Sequence, residues 1–183
     1  MSFKLIHKFY LILVCLFLLP VFSSSSLDQE SIDNDFMEQQ KELLNYIDDF
    51  TTLPKGGTSW DIFGETQMKE YSFNDEDGDE YIGYRPIFSD QILKLDSQNI
   101  LVQGYMFPLE QNDEQGLFLL GPFPLSCPYH PHTQSNLLIE VHAKKPVIFS
   151  YDAVNIKGKL ELVAKDDQYN MFYRLRNAEL VKN

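Results

Sequence analysis

Between Asn99 and Val181 the chain repeats one pattern, and it limits the possible folds more than any other feature. Short apolar runs alternate with turn-forming residues: Asn99 to Leu109 (NILVQGYMFPL), Leu117 to Leu120, Leu137 to His142, Ala153 to Val163 and Tyr169 to Val181. Polar residues Gln111 to Gln115 separate the first two runs, and Asp166-Asp167 separates the last two. Each run reads as a strand and each gap as a turn. Gly104 inside the first run hints at a bulge or a tight bend. Residues 121–136 hold four prolines and read as one long irregular loop. Ten Tyr and fourteen Phe fit the same reading, because aromatic side chains pack well on a pleated surface. Five strands with little helix among them suit a small barrel or sandwich.

Upstream the pattern is mixed. Residues 27–35 (LDQESIDND) form a polar leader. From Asp35 to Phe50 the residues Phe36, Leu43, Leu44, Ile47 and Phe50 fall on one face of a 3.6-residue period, which predicts an N-terminal helix capped by Asp33 or Asp35. Leu53 to Gly57 stops it with Pro and Gly. Trp60 to Phe63 is expected to open the compact domain as a strand or turn that buries Trp60. Lys69 to Phe73 and Tyr81 to Arg85 read as strands flanking an acidic loop, Asn74 to Glu80, with Pro86 breaking the second. Ser89 should then cap a short helix over Asp90 to Leu95.

The first residues have a different purpose. Lys4, His7 and Lys8 precede an apolar run from Phe9 to Phe22, followed by Ser23 to Ser26. A charged start, an apolar stretch and a small-residue cleavage zone make a secretory signal, cut after Ser23 or Ser25. The run is short for a bilayer span. Cys15 sits in it as filler, because bulky Val14 stands where a lipidation signal wants a small residue. The organisation expected is a signal peptide over 1–25, a leader and helix over 26–58, and a β domain over 59–183. Its location is periplasmic or secreted.

Net charge is −12, and losing Lys4 and Lys8 with the signal takes it to −14. Such a chain lacks the basic face that nucleic-acid binding requires. It is equally unsuited to an anionic membrane surface, so membrane association would come only through a partner.

One segment concentrates chemistry. Ser126 to Asn136 (SCPYHPHTQSN) brings Cys127, His130 and His132 within a few residues. Thiolate and imidazole are the donors preferred by zinc and copper. Cys127 and His130 each precede a proline and are biased to extended backbone. A polyproline II repeat of three residues places them on one side, with Cα atoms roughly 9 Å apart at about 3.1 Å per residue. One metal would need the chain to turn at Tyr129 and a further donor such as His142 or a carboxylate. Cys127 is the one cysteine left after signal removal, so it forms no internal disulfide. The alternatives are a nucleophilic Cys127 with His130 as base and Asn136 as third member, or a buried, inert thiol beside loop histidines. The acidic loop Asp75 to Glu80 looks like a calcium loop, but its register fails. With Gly78 sixth, Phe73 and Tyr84 take the first and twelfth positions, where carboxylates belong. Tyr105, Phe107, Phe118, Phe149, Phe172 and Tyr173 could stack on a ligand, although strand aromatics are more often core.

Gly104-Tyr105-Met106-Phe107-Pro108-Leu109-Glu110 resembles the G-Y-M-x-P-L-E signature of an exported bacterial family, domain of unknown function 3299. Trp60, Phe88-Ser89, Leu95-Asp96, Tyr151-Asp152 and Val154 to Gly158 match the family in order. So do Cys127, His130, Pro131 and Asn136, but with Tyr129 standing where the family places its His. The resemblance runs from about Trp60 to the C-terminus. It implies an OB-like five-stranded β-barrel in a periplasmic or lipid-anchored envelope protein, loosely associated with transport systems that include metal-related ones. It implies no enzyme activity. The function expected is therefore a non-enzymatic binding or accessory module of an envelope transport or assembly system, with an envelope protein or a small ligand as partner. A zinc- or copper-handling protein using Cys127, His130 and His132 is the first alternative. A thiol-dependent enzyme is the second.

Overall fold

In a computed structural model the described residues are 42–74, 77–126 and 134–182. The five apolar runs become five strands of one closed barrel: β3 (Asn99–Pro108), β4 (Glu114–Gly121), β5 (Ile139–Ile148), β6 (Val154–Leu162) and β7 (Tyr173–Val181). Their order around the barrel is β3-β4-β5-β7-β6, and β6 returns to β3. Every pairing is antiparallel except β5 with β7, which run parallel. Three strands in a meander, then a hairpin whose second strand inserts beside the third, make this an OB-like barrel.

The two-residue period seen in the sequence fills the interior. Ile100, Val102 and Met106 of β3, Phe118 and Leu120 of β4, and Ile139 and Val141 of β5 point inward, joined by Ile156, Leu160, Tyr173 and Leu175. Each such side chain contributes about 1.5–3 kcal/mol on burial. Closure also leaves the barrel no exposed sheet edge.

Gly104 is not a bulge. β3 keeps a continuous register, pairing with β6 up to Gly104↔Val154 and with β4 from Tyr105↔Gly121 onward. The glycine is there for close approach, since a Cβ would lie 2.7 Å from the Gly121 carbonyl oxygen and 3.1 Å from Trp60 Cζ2. Trp60 itself is buried as expected, but in helix α1 (Trp60–Gly64), not in a strand or turn. Ser59 caps α1 by accepting from the Asp61 N–H at 3.2 Å, and five residues are too few to show a helical period. Trp60 Nε1 donates to the Gln103 carbonyl at 2.7 Å, and Phe63 packs edge-on against Tyr173. Helix α2 (Asp90–Leu93) is capped by Ser89 as the sequence suggests.

Two prolines mislead in the same way. Pro86 does not break its strand. The hairpin strands β1 (Gln67–Asn74) and β2 (Glu80–Ile87) pair through Met68↔Pro86 to Gln67↔Ile87. Tyr84 turns its N–H outward, and Pro86, two residues on, shares that side, so no ladder bond is lost. Pro146 similarly lies inside β5, which runs six residues past His142. There the register jumps from Leu117↔His142 to Gln115↔Val147, and Pro146 falls in the bulge. Residues 169–172 belong to the turn before β7 rather than to the strand.

The stretch before α1 is held to the barrel. Residues 42–44 are helical and Ile47–Asp49 form a 3₁₀ turn, while the earlier part of the expected Asp35–Phe50 helix lies outside the described residues. Leu43 and Ile47 are in the core. Tyr105 OH donates to the Phe50 carbonyl at 2.9 Å, the Thr52 N–H to Gln103 Oε1 at 2.6 Å, and the Thr58 N–H to the Leu101 carbonyl at 2.8 Å. Among the described residues no helix is long and apolar enough to cross a membrane.

Candidate functional site

The signature segment Gly104 to Glu110 builds the fold. Met106 is buried, Tyr105 holds the preceding segment, and Phe107 lies against Gly121, where a Cβ would come within 3.1 Å of its ring. The turn after β3 closes on Gln115, whose Oε1 accepts from the Leu109 and Glu110 N–H groups at 3.2 and 3.1 Å. Glu110 in turn accepts from the Gly116 N–H and, at 3.1 Å, from the Leu117 N–H. The carboxylate thereby satisfies the backbone at the β4 bulge. Every side-chain role visible here is structural.

Cys127, His130 and His132 lie outside the described residues. The residues on either side of that segment are packed into the domain. Phe123 is fully buried and packs edge-on against Phe50 at 5.4 Å. On the far side, Asn136 is buried and its Nδ2 donates to the Gly64 and Thr66 carbonyls at 3.4 Å, fastening the loop to the end of α1. His142, the further donor considered for a metal, is engaged elsewhere: its Nε2 lies 2.5 Å from Glu140 Oε1. Among the described residues no group of three or more His, Cys, Asp or Glu side chains could hold a metal ion.

The described residues of the acidic loop turn at Gly78. Asp75 and Glu76 lie outside the described residues, but Asn74 Nδ2 donates to the Gly78 carbonyl at 3.1 Å and Gly78 takes φ 88°, the left-handed geometry glycine permits.

Polar chemistry gathers instead on the outer wall of β5, β7 and β6. Glu140, Arg174 and Glu161 stand in one row, Arg174 being the register partner of both carboxylates. Arg174 Nε donates to Glu140 Oε1 at 2.8 Å and its Nη2 to Asp166 Oδ2 at 2.9 Å, while Arg176 Nε donates to Glu161 Oε2 at 2.5 Å. The Arg176 guanidinium holds the Glu161 carboxyl below its ordinary range, against an opposing push from burial, and Arg176 is raised in return. Charges so paired tie β5, β7 and β6 together. The sequence signal was present in I-E-V-H-A (139–143) and Y-R-L-R-N (173–177), where charged residues alternate with apolar ones. Which strand faces which was hidden.

The remaining surface of note is the β1–β2 hairpin. One face carries Tyr71, Phe73 and Tyr81, whose rings follow one another at 5.7 and 6.0 Å, with the Arg85 guanidinium 4.1 Å from the Tyr71 ring centroid. Gly83 lets these rings fold inward, since a Cβ there would meet Tyr71 Cζ at 2.9 Å. The hairpin is moored to the turn before β7: Tyr71 OH donates to Asp167, Lys165 Nζ lies 5.8 Å from the Tyr71 ring centroid, and the Tyr84 N–H donates to Asn170 Oδ1 at 2.9 Å. Burial and the Asp167 carboxylate raise the Tyr71 phenol above its ordinary value. Tyr81, Ile82, Tyr84 and Ile87 stay exposed, Ile82 to 59%. Of the strand aromatics weighed as stacking platforms, Phe118, Phe172 and Tyr173 are core.

Barrel and loops together define a small OB-like β-barrel domain. A family model described as "Protein of unknown function (DUF3299)" matches residues 59–182, and the chain belongs to that family. A crystal structure of a DUF3299 family protein from Pseudomonas aeruginosa PAO1 is similar at 24% identity and a TM-score of 0.40, over 49% of this chain and 65% of that one. The match therefore spans less than two thirds of that protein. No curated protein matches the chain.

Proposed function

We propose that the chain is a non-enzymatic binding or accessory module of an envelope transport or assembly system, exported to the periplasm or secreted, and that its partner is an envelope protein. The observation that carries this reading is the hairpin, which keeps Tyr81, Ile82, Tyr84 and Ile87 in solvent on a two-stranded ribbon. Ile82 and Tyr84 share one face of the ribbon and Tyr81 and Ile87 the other, so both faces offer exposed apolar side chains for contact with another molecule. A two-stranded ribbon also gains stability when a partner covers it. The signal-like N-terminus and the acidic charge support the location and the exclusion of nucleic acid. The test is site-specific photocrosslinking in cells. A photoreactive residue at Ile82 should give a discrete protein adduct that the same residue at Lys159, on the barrel wall, does not. Equal adducts at both positions, or none at Ile82, would reject the proposal.

A metal-handling role remains as the second reading, favoured by the crowding of Cys127, His130 and His132 in the sequence. Metal analysis of protein purified without chelator tests it. Stoichiometric zinc or copper that disappears in Cys127→Ser supports it, and its absence from the unaltered protein removes it.

A further inference from the structure

Among the described residues the hairpin has one edge occupied and one edge open. β2 turns its outer edge to the barrel, where the Tyr84 N–H is bonded to Asn170. In an antiparallel ladder, a residue whose N–H points away from its partner strand faces a residue that does the same. Tyr84 faces Glu70, so Met68, Glu70, Ser72 and Asn74 turn their backbone groups to the outer edge of β1. Among the described residues no third strand joins this sheet. The result is a row of donors and acceptors repeating every two residues, about 6.8 Å apart, which is a template for an added strand.

From this edge we infer that the partner docks by β-augmentation, contributing an extended basic segment that pairs with β1. The inference deepens the binding-module reading and rests on it. Charge identifies the occupant. Residues 67–87 carry six acidic side chains, Glu70, Asp75, Glu76, Asp77, Asp79 and Glu80, against two basic ones, Lys69 and Arg85. Five of the six lie at the turn end, 75–80, and β1 itself carries only Lys69 and Glu70. It is therefore the net charge of −4 on the hairpin as a whole that repels a second copy of this chain and attracts Lys or Arg on an incoming strand. The two faces of β1 set the alternation. Glu70 and Ser72 share one face, suited to basic residues, while Tyr71 and Phe73 share the other, suited to β-branched or aromatic ones. Backbone bonds supply affinity and this alternation supplies selectivity.

An eight-residue capped peptide of alternating Lys and Val is the probe, titrated against the full chain by fluorescence anisotropy, with amide exchange read at Glu70 and Ser72. Binding with slowed exchange at those two amides is expected. The Glu-for-Lys peptide should not bind. Of two peptides N-methylated at alternate residues, one in each register, one should bind at least tenfold more weakly, although its charge is unchanged. Ser72→Pro, which removes an outward N–H and leaves the ladder to β2 intact, should weaken binding by a similar factor. Equal binding of both methylated peptides, slowed exchange elsewhere only, or no binding by the Lys-Val peptide would overturn the inference. The methylated peptides keep the test decisive if Ser72→Pro does not fold. A crosslinked adduct at Ile82 without peptide binding would sink the edge and spare the module. Loss of the Ile82 adduct would sink the module itself.

Discussion

Tyr84 and Asn170 are joined by a hydrogen bond of 2.9 Å in which a strand N–H donates to an amide side chain rather than to a neighbouring strand. That bond decides which edge of the hairpin is closed. Asn170 can make it because its backbone takes φ 54°, and its own N–H donates to the Asp166 carbonyl at 3.0 Å. Asparagine tolerates this left-handed geometry better than most residues.

Replacing Asn170 separates its two roles. Asn170→Gly keeps the backbone geometry and loses the bond to Tyr84, at a cost of about 1 kcal/mol. Asn170→Ala loses the bond and adds left-handed strain, at a cost of about 2–3 kcal/mol. Urea unfolding should rank them in that order, and the Tyr84 amide should exchange faster in both.

Gly104 admits no side chain. Gly104→Ala places a methyl 2.7 Å from the Gly121 carbonyl oxygen, a backbone atom that cannot swing aside, and should destabilise the barrel by about 1–3 kcal/mol. Gly116→Ala is the control, because its Cβ would meet nothing nearer than 3.5 Å. A larger loss at Gly116 would show that the crowding is misassigned.

Tyr173 tests the join between α1 and the barrel. Its fully buried phenol donates to the Phe63 carbonyl at 3.0 Å, and burial pushes it well above the ordinary tyrosine value. Tyr173→Phe removes one of two bonds to that carbonyl, which keeps the Thr66 N–H at 3.1 Å, and should cost about 0.5–1.5 kcal/mol in denaturant unfolding. The wild-type phenol should not titrate below the pH at which the protein unfolds.

Acid should weaken the outer wall. Glu161 has its folded pKa depressed by Arg176, so its contribution is present above the unfolded value of about 4.3 and is lost as pH falls through the folded one. Its side chain is 43% exposed, so screening keeps the effect to no more than about 1 kcal/mol. Arg176→Gln should therefore be slightly less stable than wild type at pH 7, and the gap should narrow as pH falls below the ordinary glutamate value and through the lowered folded one.

The barrel was readable because its strands are long relative to their turns. NILVQGYMFPL shows inward Ile100, Val102 and Met106 at a clear two-residue spacing, and turn residues flank it. Elements without a period were not. Helix α1 is too short to show one, and β5 hides its second half behind Lys144-Lys145-Pro146, which looks like a stop until the bulge opposite Gly116 is seen. The row of Glu140, Arg174 and Glu161 depends on a parallel pairing between residues 34 apart in sequence, which no local pattern encodes. The hairpin was legible as two strands. Its exposure was not, because E-Y-I-G-Y-R-P-I lacks the alternation that separates a buried face from a wet one.

Once the Ile82 crosslink has identified a partner, its affinity for the purified full chain tests the account most directly. Ile82→Ser with Tyr84→Ser should raise Kd at least tenfold, or about 1.4 kcal/mol, while Lys159→Ser should leave it unchanged. An unchanged Kd in the hairpin variant, or a loss confined to Lys159→Ser, would contradict the claim that this protein works through its hairpin.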